Sequence, residues 1–101
     1  KHTPSPELVM RAVAGYFGLK PAQLKAKSNA QQIALPRQIA MFLGREQAGA
    51  SLPQIGGAMG GRDHTTILYG VNKIAEEIEQ DDNLRREVLS IRDRLYRSER
   101  T

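Results

Sequence analysis

Apolar residues along this chain return every three or four positions and nowhere alternate one-on, one-off, which is the spacing of a helix face and not of a strand. The first such run follows Thr3-Pro-Ser-Pro6, with Ser5 as N-cap and Pro6 at the first helical position. It continues to about Phe17 and carries Val9, Ala12, Val13, Tyr16 and Phe17 on its apolar side. Gly18 closes it, and Pro21 starts a turn or short helix through Leu24 and Lys25. Lys25 to Gln32 has no periodicity and reads as a polar, basic loop. Pro36 then opens a helix with Ile39, Phe42, Leu43 and Glu46 on a packed side, and Arg37, Met41 and Arg45 on an exposed, cationic side.

The next two helices are short and long, joined by a glycine corner. Ser51-Leu-Pro-Gln54 has the capping-box pattern, in which Ser51 and Gln54 each satisfy a free backbone donor, and Leu52, Ile55 and Met59 form the apolar stripe behind it. Gly60-Gly61 must end that helix, and Asp63 is a good N-cap for the following one. There Ile67, Val71, Ile74 and Ile78 face a core while Thr65, Tyr69, Asn72 and Lys73 point away, with His64 and Thr66 flanking the exposed side. Glu76 to Asn83 is acidic, and a last helix holds Leu84, Val88, Ile91 and Leu95. The expected class is all-α with about five or six helices. Residues 1–101 are expected to form a single DNA-binding domain, with 1–5 as a linker end, 51–78 as a helix-turn-helix and 98–101 as a frayed tail. In a helix-turn-helix the second helix enters the major groove and the first lies across the backbone.

A chain of 101 residues buries about 65% of its unfolded surface, enough for a small helical core but not for a nucleotide-binding domain besides. There is no cysteine, so disulfides and thiolate metal sites are excluded. The chain starts at Lys1 and shows no secretory signal or long apolar run, which leads us to expect a cytoplasmic, nucleoid-associated module excised from a longer protein. Its net charge of +4 is unevenly spread. Residues 1–74 hold nine Lys and Arg against three acids, whereas residues 75–101 hold six arginines against eight acids. A polyanion is therefore expected to meet the first three-quarters of the chain, and the last helix to act as a solvated brace.

Contacts to a duplex sort into those that hold phosphates and those that read base edges. Asp63, His64, Thr65 and Thr66 are short, stiff side chains in the first turn of the inserted helix. A threonine methyl can meet a thymine methyl, Asp63 can accept from a cytosine amino group, and His64 can donate or accept. Candidates for phosphate are Arg37 and Gln38 at the start of the Pro36 helix, Arg45 two turns on, Arg62 in the corner and Lys73 on the second motif helix. A single histidine beside one carboxylate lacks the ligands of a metal site, so no metal is expected.

Three stretches, Ile33-Ala-Leu-Pro-Arg-Gln-Ile-Ala-Met-Phe-Leu43, Ser51-Leu-Pro-Gln-Ile-Gly56 and Gly60-Gly-Arg-Asp-His-Thr-Thr-Ile-Leu-Tyr69, resemble the C-terminal DNA-binding domain of the DnaA family of bacterial replication initiators. The likeness runs over roughly residues 5 to 97. It implies base contacts by Asp63, His64, Thr65 and Thr66 with Leu68 beside them, and phosphate contacts by the five candidates and by the backbone around Leu52 and Pro53. It further implies double-stranded DNA as partner, in the form of a DnaA box of the TTATNCACA type at replication origins, bound by one monomer per site. Other initiator molecules would be met through modules outside this chain. No cofactor is implied for this domain. No GxxxxGK[ST] loop occurs in these residues, and ATP belongs to the full-length protein, so this chain is not expected to be an enzyme. Family members usually carry an arginine in the loop before the Pro-Arg-Gln helix for the AT-rich minor groove. Here Asn29 aligns with it, leaving Lys25, Lys27 and Asn29 as minor-groove candidates. Met59 replaces a common phenylalanine, a core exchange. Two rival readings are a dimeric repressor, which needs an apolar exposed face, and an adaptor for an acidic protein. Contact of Pro6 to Lys20 with acidic phospholipid rests on family analogy and an amphipathic pattern that core packing explains equally well.

Overall fold

The computed structural model describes residues 3–27 and 30–100, the side chains of 98–100 excepted. The helices in chain order are α1 (Pro6–Tyr16), α2 (Pro21–Lys25), α3 (Gln31–Glu46), α4 (Leu52–Ala58), α5 (His64–Gln80) and α6 (Asp82–Arg100), and no strand occurs among the described residues. The frayed tail expected at 98–101 falls largely on residues whose side chains are outside the described set, as do Lys1 and His2 of the expected linker end.

Local signals place most helix starts. The Ser5 hydroxyl accepts from the Leu8 amide at 3.1 Å with Pro6 directly behind it. At α4, Ser51 Oγ accepts from the Gln54 amide (3.2 Å) and Gln54 Oε1 accepts from the Ser51 amide (2.8 Å), closing the capping box. At α6, Asp81 Oδ1 accepts from the Leu84 amide at 3.1 Å. The apolar sides then close on one another. Val9 and Val13 of α1, Leu24, Ile39 and Leu43 of α3, Ile55, Ile67 and Ile74 of α5, and Ile91 and Leu95 of α6 are all buried. Each such aliphatic side chain contributes about 1.5–3 kcal/mol on removal from water.

Helix α3 departs from the sequence expectation in two ways. It begins at Gln31, not at Pro36, because Ile33 is buried and anchors a first turn to the core, and Pro36 sits inside the helix. The Arg37 side is also covered: Met41 is buried and Arg37 is 7% exposed, while Glu46, expected to pack, is exposed. The reason is that α3 is the central helix, with α1 on one flank and α5 along the other. Gly70 of α5 faces Met41 so closely that a Cβ there would meet the Met41 sulfur. Lys73, expected to point away, is half-buried for the same reason. No helix among the described residues is long and apolar enough to cross a membrane.

Gly56 and Gly57 sit side by side in α4 yet predict opposite outcomes. A Cβ on Gly56 would collide with the Arg62 carbonyl, whereas one on Gly57 would meet nothing. Urea unfolding should show Gly56→Ala destabilised by about 1–3 kcal/mol and Gly57→Ala stabilised by about 0.5–1 kcal/mol.

Candidate nucleic-acid interface

The corner between α4 and α5 is closed by backbone. The Gly56 carbonyl accepts from the amides of Met59 (3.2 Å), Gly61 (2.9 Å) and Arg62 (3.0 Å), and Gly60 and Gly61 both adopt left-handed φ of 85° and 86°. Met59, at the C-cap of α4, is buried beneath the turn, so this position belongs to the core, as expected. Asp63 leaves this corner extended and caps α5, its Oδ2 accepting from the Thr65 amide at 3.2 Å. His64 Nδ1 lies 3.7 Å from Asp63 Oδ1. Asp63, His64, Thr65 and Thr66 are all exposed at this open end of α5. Leu68, 44% exposed, and Tyr69, 63% exposed, continue the same face.

Beside that face lies a groove of about 520 Å³ lined by Lys25, Lys27, Arg37, Gln38, Arg62, Thr66 and Tyr69, among others. The structure thus brings the basic segment after α2, the middle of α3 and the start of α5 together. Of the sequence-predicted phosphate candidates, Gln38 and Lys73 sit at the α3–α5 seam, with Lys73 Nζ donating to Gln38 Oε1 at 3.4 Å and pairing with Glu77 Oε2 at 3.8 Å. Arg45 stands outside the groove, exposed, and donates to the Ala50 carbonyl at 3.1 Å. Leu52 is half-buried and Pro53 exposed at the capped start of α4. Asn29 lies outside the described residues.

Arg37 and Arg62 do not stand as free surface cations. Arg37 Nε donates to the Leu24 carbonyl (3.0 Å) and its Nη2 to that of Ala26 (2.8 Å). Arg62 Nη1 donates to the carbonyls of Met59 (2.6 Å), Leu24 (3.3 Å) and Lys25 (3.3 Å), and Nη2 to that of Ala26 (2.7 Å). Burial lowers the pKa of both guanidiniums below the usual arginine value, and the positive charge of Arg62 lowers that of Arg37 further. Both remain charged at neutral pH. The expectation that Arg37 and Gln38 share a helix N-terminus with an anion is corrected here, because that terminus is at Gln31.

Two features of the site were missed by the sequence reading. The carbonyls of Leu24, Lys25 and Ala26 carry no residue-type signal, since any residue has one. Tyr69 was placed on the exposed face but given no role, although a large exposed aromatic among cations was visible in the pattern. Among the described residues, no group of three or more His, Cys, Asp or Glu converges as metal ligands would.

Comparison with known proteins agrees with the helix-turn-helix arrangement. Residues 6–74 match the family model described as bacterial dnaA protein helix-turn-helix. Among curated proteins, the chain is 50% identical over 92 residues to the chromosomal replication initiator protein DnaA of Thermomicrobium roseum, covering 91% of this chain and 20% of that protein. The protein of the same name from Chloroflexus aggregans is 46% identical over 91 residues, or 90% of this chain and 19% of the relative. That of Thermus thermophilus is 51% identical over 73 residues, 72% of this chain and 17% of the relative. The chain therefore spans about a fifth of the length of the curated relatives it matches.

The cap at Asp63 has a measurable share in holding the open end of α5. Asp63→Ala should lower stability by about 0.5–2 kcal/mol in thermal unfolding, and Asp63→Asn, which keeps an accepting oxygen, by only a few tenths of that scale.

Proposed function

The chain belongs to the bacterial DnaA helix-turn-helix family, and from that premise we propose that it binds double-stranded DNA during initiation of chromosomal replication, at origin boxes of the TTATNCACA type. The observation that carries this reading is the joining of an exposed, short-side-chain helix start at 63–66 to a cationic groove at Lys25, Lys27 and Arg62. The first turn of α5 enters the major groove. There Asp63, His64, Thr65 and Thr66 meet base edges, and Leu68 adds apolar contact. The segment from Lys25 through Lys27 to Asn29 approaches the adjacent minor groove, whose negative potential attracts cations.

Phosphates are held by Gln38, Arg45 and Lys73 and by the backbone donors at the start of α4, near Leu52 and Pro53. Arg37 and Arg62 add positive potential to the groove even with guanidinium donors directed at backbone carbonyls. One protomer serves one site. On this reading, ATP use and assembly with other initiator molecules are assigned outside this chain, which spans about a fifth of the length of its relatives. For acidic phospholipid the fold offers little support, because Val9 and Val13, the apolar stripe of α1, are spent on the core.

Equilibrium binding to box and scrambled duplexes tests this reading. Thr65→Ala or His64→Ala should cost about 1–3 kcal/mol on the box alone, with helicity unchanged. Lys73→Gln should instead weaken both duplexes alike and reduce the log–log salt slope by about 0.9. Equal wild-type affinity for box and scrambled duplex would contradict the proposal.

A further inference from the structure

A five-residue helix such as α2 does not hold itself together in water, because nucleation fixes several residues for a single hydrogen bond. Its C-cap, Ala26, returns one bond, from its amide to the Ala22 carbonyl at 3.1 Å, and the carbonyls that follow have no helical continuation to satisfy them. Two arginines from distant parts of the chain fill that role. The Leu24 and Ala26 carbonyls each accept from both Arg37 and Arg62, at 2.7–3.3 Å, so that both lone pairs of each oxygen are engaged. Arg62 reaches across 36 to 38 positions of sequence to do so, and also bonds the Met59 carbonyl at the C-cap of α4. A second observation concerns backbone alone: a Cβ on Gly60 would stand 2.9 Å from the Lys25 carbonyl, so the corner and the end of α2 touch directly.

From this we propose that Arg62, seconded by Arg37, is a positioning residue that locks the segment Lys25–Lys27 to the α4–α5 corner, so that both meet a duplex as one preset reader. The inference rests on the DNA-binding reading above for its consequence, but the lock itself is a property of the free protein. A planar guanidinium can bond carbonyls of α2 and of α4 simultaneously, whereas an ammonium is a point donor. Arg62→Lys therefore keeps the charge and removes the lock. Were Arg62 only a phosphate ligand, lysine would substitute well, since it binds phosphate as a point charge.

Two measurements on Arg62→Lys and wild type decide the matter. In the DNA-free protein, amide hydrogen exchange at Lys25 and Ala26 should accelerate by about tenfold while the amides of α3 and α5 keep their protection. Affinity for a TTATNCACA duplex should fall by about tenfold, with affinity for a scrambled duplex unchanged within about twofold. Unchanged exchange at Lys25 and Ala26, or accelerated exchange with full box affinity, would overturn the proposal. So would uniform acceleration through α1, α3 and α5, which would make Arg62 a support of the whole fold. If wild type itself fails to discriminate the two duplexes, the DNA-binding reading falls, and the exchange measurement still decides the lock.

Discussion

The carbonyl of Gly56 is the fixed point of the molecule's working end. Three amides, from Met59, Gly61 and Arg62, converge on it, and the missing side chain at Gly56 lets the Arg62 carbonyl pack against α4. Backbone groups at the turn therefore fix the angle at which α5 departs, and the exposed side chains that follow can be chosen for chemistry. Asp63 shows the benefit: one of its oxygens caps the helix while the other remains available beside His64. Met59 below and Ile67 above, both fully buried, tie the corner to the core, so a shift in the turn would have to open apolar packing.

Positive charge has two different tasks around that corner. Lys25 and Lys27 extend exposed cations along the groove, as a polyanion requires. Arg37 and Arg62 turn inward, and their charge-assisted bonds offset the cost of placing two like charges near one another in a partly desolvated site. Their fields still reach the groove, so structural bonding and attraction for an anion are served by the same guanidiniums. Arginine suits this double use because it stays protonated when partly buried.

Features encoded over three or four residues were legible in the sequence. The capping box at Ser51 and Gln54, the glycine corner and the Asp63 cap need only local chemistry, and each is present. The exposed first turn of α5 followed from them. Features that depend on which helix lies in the middle were not legible. A single amphipathic stripe was assumed for α3, but a helix flanked on two sides buries Met41 and most of Arg37 as well as Ile39 and Leu43. Met10 and Ala14 of α1 were missed by the same assumption. The destination of a guanidinium is also silent in sequence, because a phosphate and a pair of backbone carbonyls can both accept from it and only the fold brings residues 24–26 to residue 62.

The central claim is that the first turn of α5 and the segment ending at Lys27 form a single duplex-facing surface. Titrating isotope-labelled protein with a TTATNCACA duplex and following backbone amide shifts tests it most directly. The account predicts the largest changes at residues 63–69 and at Lys25 to Lys27, moving together at one protein per duplex, with Leu84 to Leu95 of α6 little affected. Changes centred on α6, with residues 63–66 unmoved at saturation, would contradict it.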